Sequence, residues 1–225
     1  MQVVHLSWNP IGHMFNDGLY RSQLVGLKKT KRKKNCVLLD SGCGDGKVGE
    51  EWKEVLSPRE MIQMDILYGH DLNQPLSLPD KSVDFILSSQ LIEHLYNTRL
   101  YLCECYRVLK KGGQLLLMTE NLSSWCNILS LFFGWQPFST TSIEGLSIGN
   151  PLAWKRITNI EHEESNGSHI RILSYQGLYD LLKRVGFRGV KIYSRGYFPF
   201  WGWLSDFLCG VDKRHGHFLI STATK

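Results

Sequence analysis

The segment Asp40-Ser41-Gly42-Cys43-Gly44-Asp45-Gly46 sets three glycines at alternate positions directly behind a carboxylate. Glycine is needed where φ turns positive or where a ligand must come close to backbone. A dinucleotide site has the spacing G-x-G-x-x-G and rests a pyrophosphate on the helix that follows. Here the third glycine comes one residue early, and Asp40 would repel a pyrophosphate while accepting hydrogen bonds from an ammonium group. A cationic amino-acid ligand therefore fits better than an anionic one. The alternative is a tight strand–helix turn with no ligand. Further along, Ser89, Gln90, Glu93 and His94 form one polar group, and Glu120 with Asn121 a second. His94 is the strongest general-base candidate by type, because an imidazole titrates near neutrality. It serves equally well as a cap or core residue held by a backbone bond.

The hydrophobic pattern supplies the elements that must position these groups. Residues 36–40 are an apolar run ending at the acid, as a buried parallel strand requires. Residues 47–56 read as a helix stopped by Ser57-Pro58. Strands follow at 61–66, at a short segment ending near Asp71, and at 83–88. Leu102, Cys105, Tyr106 and Leu109 repeat at helical spacing; Lys110 and Lys111 are expected in the last turn of that helix and Gly112-Gly113 at its close. Residues 115–118 are an apolar strand. Leu178, Leu181, Leu182 and Val185 mark another helix, with Ser174 as N-cap and Gly186 as stop. Residues 190–193 and 218–222 complete the strands. This alternation predicts a parallel sheet with helices on both faces. Ligands of such a sheet gather outside the carboxyl ends of its strands.

Asp40 to Gly46 resembles the first motif, D-x-G-x-G-x-G, of the class I S-adenosylmethionine-dependent methyltransferases. Four more segments match that family in order: Asp71-Leu72-Asn73 with Leu78-Pro79-Asp80, Val83 to Gln90, Ile92-Glu93-His94-Leu95, and Arg107-Val108-Leu109-Lys110-Lys111-Gly112-Gly113. The resemblance covers residues 36–121 and is nearest to the type 11-like members. It implies a Rossmann-like, doubly wound α/β fold with a mostly parallel seven-stranded sheet, and S-adenosylmethionine as cofactor. It further implies that Asp40, Ser41, Gly42, Cys43 and Gly44 line the cofactor. Asp71 and Leu72 would approach the adenine, and Ser89 and Gln90 would stand beside the methyl group. Only five residues separate Asp65 from Asp71, so the helix that relatives carry there must be missing or reduced. Asp65 is the candidate for the ribose, since two hydroxyls suit a bidentate carboxylate; a solvated acid in a rebuilt loop is its alternative. Some quinone O-methyltransferases of this fold hold a divalent metal on Glu-x-x-Glu-His. Gln90 replaces the first of those acids, and no metal is expected.

Residues 122–168 interrupt the sheet after the fifth strand, and an insertion of that length is usually functional. Residues 36–225 are thus expected to form one methyltransferase domain carrying a lid, preceded by a leader at 1–35. His94 and Glu120 are the catalytic candidates; His162, Glu163, Glu164 and His169, late in the insertion, could also reach an acceptor. The aromatic blocks 125–138 and 197–204 can pack the lid onto the sheet, line a pocket for an apolar or aromatic small molecule, or contact a membrane peripherally. Thr119-Glu120-Asn121-Leu122 ahead of Gly134-Trp135-Gln136-Pro137-Phe138 resembles an uncharacterised subgroup of the family, whose acceptor is unassigned. The reaction expected is O-methylation of a small acceptor. The alternatives are a nucleic-acid or protein methyltransferase guided by the basic run 28–34, and a non-catalytic cofactor-binding module.

Composition narrows these choices. The chain has 225 residues and 43% hydrophobic content, enough for a full core. Its net charge of +5 is exceeded by the six charges of Lys28, Lys29, Lys31, Arg32, Lys33 and Lys34, so the remainder is near neutral and a nucleic-acid partner is disfavoured. Its six cysteines form no regular framework and are expected as reduced thiols in the cytoplasm. Residues 1–12 lack a signal-peptide pattern, and no apolar run reaches the roughly 18 residues of a membrane span.

Overall fold

The computed structural model of the chain describes residues 35–143, 146–153 and 168–225, together with Gly18, Leu19, Ser22, Gln23 and Val25. Six strands form one sheet: β1 (Val37–Ser41), β2 (Glu60–Met64), β3 (Val83–Ser89), β4 (Leu109–Glu120), β7 (Arg188–Arg195) and β8 (Phe218–Thr224). Their order is β2-β1-β3-β4-β8-β7. The first four are mutually parallel, and β8 runs antiparallel to both β4 and β7. A two-residue pair, β5 (Ser142–Ile143) and β6 (Leu146–Ser147), lies in the insertion.

Strand side chains alternate between the two faces of a sheet. Leu38, Phe85, Leu87, Leu116, Met118 and Ile220 pack on one side with Trp52 and Leu56 of α1 (Lys47–Leu56). Leu39, Ile86, Leu115, Leu117 and Leu219 pack on the other with α2 (Thr98–Val108) and α4 (Tyr175–Val185). Each fully buried aliphatic side chain contributes about 1.5–3 kcal/mol, so the central strands form the rigid floor of the molecule. The doubly wound α/β expectation holds. In α4 the Ser174 side chain accepts from Gly177 N, and Gly186 (φ 116°) ends the helix, as the sequence predicts.

Two expectations need correction. The short third of the seven expected strands, ending near Asp71, does not form: residues 69–82 are turns and irregular backbone. Asp71 Oδ1 accepts from Asn73 N at 2.9 Å, and this local bond competes with a strand ladder. The crossover before it is reduced to one 3-10 turn, Ile66–Tyr68, capped by Asp65. Next, α2 stops at Val108 rather than at Gly112-Gly113, and Lys110 lies in β4. Its ammonium pairs at 2.6 Å with the buried carboxylate of Asp84, which also accepts from Val37 N. That bond recruits the lysine to the sheet. The aromatic blocks, to which no element was assigned, are helical in part: α3 (Trp125–Phe132) opens the insertion and α5 (Gly202–Val211) follows β7.

Residues 154–167, with His162, Glu163 and Glu164, and the basic run 28–34 lie outside the described residues. Gly18, Leu19, Ser22, Gln23 and Val25 are helical, and Gly18 is buried so closely that a Cβ there would stand 3.0 Å from the Gly196 backbone.

Candidate functional site

The carboxyl ends of β1, β2 and β3 meet at the glycine turn. Gly42, Gly44 and Gly46 all have positive φ, at 72°, 51° and 80°. Gly42 N donates to Met64 O at 2.8 Å, tying the turn to the end of β2. A Cβ on Gly42 would lie 2.9 Å from the Leu91 side chain, so the segment after β3 closes over the turn. A Cβ on Gly44 would meet nothing within 4 Å. Gly44 N donates to Asp65 Oδ2 at 3.0 Å while Asp65 Oδ1 accepts from Leu67 N. Asp65 is therefore at the turn, fixed there by backbone donors. Asp71 is exposed and stands with Met64, Gly69, His70 and Gln74 around a cleft of about 280 Å³. The side chain of Leu72, expected near a ligand, packs into the core.

Asp40 is 2% exposed, and its Oδ2 has no hydrogen-bond partner. Its carboxylate lies against α1 at Gly49, where any Cβ would collide with it. Burial pushes its pKa up to about 6, with Gln63 opposing that shift and Asp65 adding to it. Ser41 is fully buried beside the Tyr101 hydroxyl. Burial raises the Cys43 thiol to about 11, which leaves it protonated and inert at neutral pH. Ser89 ends β3, and Gln90 takes φ 50° while donating its N–H to Met118 O at 2.8 Å.

A second group gathers beyond β3 and β4. The rings of His94 and His169 meet edge to face, with centroids 4.8 Å apart. His169 Nδ1 lies 2.6 Å from Ser139 O and 3.6 Å from Glu120 Oε2. His217 Nε2 approaches the same Glu120 oxygen at 3.8 Å. Glu93 is fully buried; its Oε2 accepts from Thr119 Oγ1 at 2.7 Å, and its Oε1 has no hydrogen-bond partner. Burial raises its pKa to about 8. Burial works against charge on His217 as well, but Cys126, 3.1 Å from its Nδ1, and Glu120 prevail and lift it to about 9. His217 and Cys126 carry no sequence signal. His217 reaches Glu120 because β8 runs antiparallel to β4, with Phe218 opposite Glu120, and Cys126 reaches His217 from α3. Asn121 is structural: its Nδ2 donates to Arg214 O and Gly216 O, holding the loop ahead of β8.

A family profile described as "Methyltransferase domain" matches residues 17–192. The chain belongs to the methyltransferase-domain family. A "probable S-adenosylmethionine-dependent methyltransferase" of Mycolicibacterium smegmatis is 32% identical over 116 residues, 45% of this chain and 44% of that protein. The malonyl-[acyl-carrier protein] O-methyltransferase of Erwinia billingiae is 30% identical over 119 residues, 47% of this chain and 46% of that protein. The matched part thus spans less than half of either relative. In fold, a crystal structure of an S-adenosylmethionine-dependent methyltransferase from Archaeoglobus fulgidus superposes with a TM-score of 0.54 at 21% identity, covering 91% of this chain and 94% of that one.

S-adenosylmethionine is the cofactor that the family and these relatives indicate, and the residues fit it. The turn offers open backbone at Gly44, where a side chain would intrude on a ligand. The acid of the turn is a buried carboxylate with an unpartnered oxygen rather than a cationic group, which suits an amino-acid ligand better than a phosphate. Arg107 supports the loop at residues 76–80. It donates to Asp80, to both oxygens of Glu104 and to the carbonyls of Leu76 and Leu78, all within 2.9 Å. The R-V-L-K motif is thus a staple that fastens residues 76–80 to α2.

Proposed function

We propose that this methyltransferase-family chain transfers a methyl group from S-adenosylmethionine to an oxygen of a small, apolar acceptor. The reading rests on one observation: His94, Glu120 and His169 converge beyond the carboxyl ends of β3 and β4, next to the segment that closes over the glycine turn. S-adenosylmethionine supplies the activated methyl group, so the protein has only to align the acceptor and take its proton. Gly42 and Gly44 would hold the donor by close backbone approach, and Asp65 would exchange its bond to Gly44 N for a ribose hydroxyl. Asp71 would stand at the adenine. Glu120 or His94 would accept the proton that the acceptor oxygen loses, in reach of the donor's methyl group. Both candidates are half-buried, which limits competition from water.

The surface supports an apolar acceptor delivered at a membrane. Trp203, Phe207 and Val211 repeat at i, i+4, i+8 along α5 and are 61–78% exposed, while Ser205 and Cys209 on the opposite face are buried. Phe132 and Phe133 at the end of α3 are also exposed. Packing of the lid on the sheet does not account for these side chains, whereas an interfacial location does. No helix among the described residues is long and apolar enough to cross a membrane.

Calorimetry with S-adenosylhomocysteine tests the cofactor, and radiolabelled transfer to a panel of phenols, quinols and carboxylic acids tests the acceptor. Saturable binding with transfer to oxygen is expected. Absence of binding at millimolar ligand would end the proposal.

A further inference from the structure

The cluster around Glu93 combines a donor set and an unpartnered buried carboxyl oxygen that proton transfer alone does not explain. One ligand-type atom from each of Glu93, His94 and His169 lies within 4.8 Å of the other two. Tetrahedral ligation at 2.0–2.1 Å separates donors by roughly 3.3 Å, so modest ring rotations bring all three onto one ion. Glu93 Oε1 is buried with no hydrogen-bond partner, and no lysine or arginine among the described residues pairs with this carboxyl. A buried carboxylate lacking a cation is costly, and Glu120 beside it adds a second negative group.

The surroundings are arranged as they are around ligating side chains, where outer bonds fix tautomer and orientation. A carbonyl oxygen only accepts, so the contact of His169 Nδ1 with Ser139 O puts the proton on Nδ1 and leaves the Nε2 lone pair free to ligate. Thr119 Oγ1 orients Glu93 by donating to Oε2. Ile170 N and Arg171 N both donate to Glu93 O, at 2.7 and 3.2 Å, which anchors the chain carrying His169 to the Glu93 backbone.

We propose that Glu93, His94 and His169 form a site for a divalent cation, zinc being the best match to two imidazoles and one carboxylate. Three protein ligands leave a coordination position open, as catalytic sites do. With the cation in place His94 is a ligand, and Glu120 is the base left to take the acceptor's proton. This role, unlike the binding itself, rests on the methyl-transfer reading. His169 directly follows the insertion, so the cation would also fasten that end of the insertion to the segment after β3.

The test uses the full chain freed of metal by chelator dialysis and titrated with zinc chloride. One zinc per chain is expected, and cobalt(II) in its place should give the visible absorption of a four- or five-coordinate ion. His169→Ala and His94→Ala should each weaken zinc binding at least about a hundredfold. Cys103→Ser, which removes the one half-buried thiol, should bind as wild type does. Glu93→Gln is the more drastic change because that side chain is fully buried, so His169→Ala, a partly exposed residue, carries the decision. Zinc binding that is absent in the wild type, or equally tight in His169→Ala, overturns the site. Calorimetry with S-adenosylhomocysteine on the same preparations reports the cofactor reading separately, since the glycine turn contains none of these ligands.

Discussion

The replacement Gly44→Ala separates folding from cofactor binding. Gly44 has φ 51°, and a Cβ there meets no protein atom within 4 Å. The only cost to the fold is therefore a left-handed backbone on an L-residue, about 1–2 kcal/mol. For a chain of this length that lowers Tm by roughly 2–8 °C. The cofactor meets a different situation. If it rests on this backbone, the new methyl group occupies its contact surface, and overpacking of that kind costs about 1–3 kcal/mol. Affinity for S-adenosylhomocysteine should then fall by roughly 5- to 140-fold. Gly112→Ala is the control, because Gly112 also has positive φ (77°) and open surroundings but lies at the amino-terminal part of β4. It should lose the same stability and keep full affinity. Calorimetry and thermal unfolding on both variants decide the matter. Equal affinity in Gly44→Ala and wild type would refute placement of the cofactor on this turn.

Further expectations follow from charge and exposure. The pKa of Asp40 is raised in the fold from 3.8 to about 6, so the folded state holds a proton that the unfolded state releases. The penalty is absent below pH 4, grows as pH rises to 6 and then levels at about 3 kcal/mol. Asp40→Asn should accordingly be more stable than wild type at pH 7 and no more stable at pH 3.5, as measured by urea denaturation. Arg107→Met removes the staple on residues 76–80 and leaves Glu104 unpaired; a loss of about 2–3 kcal/mol is expected by chemical denaturation. The double variant Trp203→Ser, Phe207→Ser should keep its Tm within about 2 °C, since both side chains are exposed, and lose sedimentation with phospholipid vesicles. Unchanged sedimentation would remove the membrane reading.

Much of the frame was legible because it depends on local pattern. Residues 47–56 were readable as a helix from the glycine before and the Ser-Pro after, and α1 has those bounds. Gly186 stops α4 because the left-handed C-cap, at φ 116°, favours a residue without a Cβ. The differences fall where a hydrogen-bond partner, distant for Lys110 and two residues away for Asp71, competes with the hydrophobic pattern. Lys110 left the expected helix for Asp84, and Asp71 turned onto Asn73 instead of extending a strand.

The sequence by itself determined the glycine turn, the acid behind it, and the order of strands that carries both, since these follow from residue type and spacing along one stretch of chain. Tertiary structure alone decided what surrounds Glu93 and Glu120. His169 arrives from the far end of the insertion because backbone amides after it bind Glu93 O, and His217 arrives because β8 lies antiparallel to β4. Along the chain His94 has Gln90 where a metal-binding motif would carry an acid, and only the fold brings His169 beside it. Folding supplies a second imidazole from elsewhere, and no spacing rule records a contact made only by the closure of a long loop.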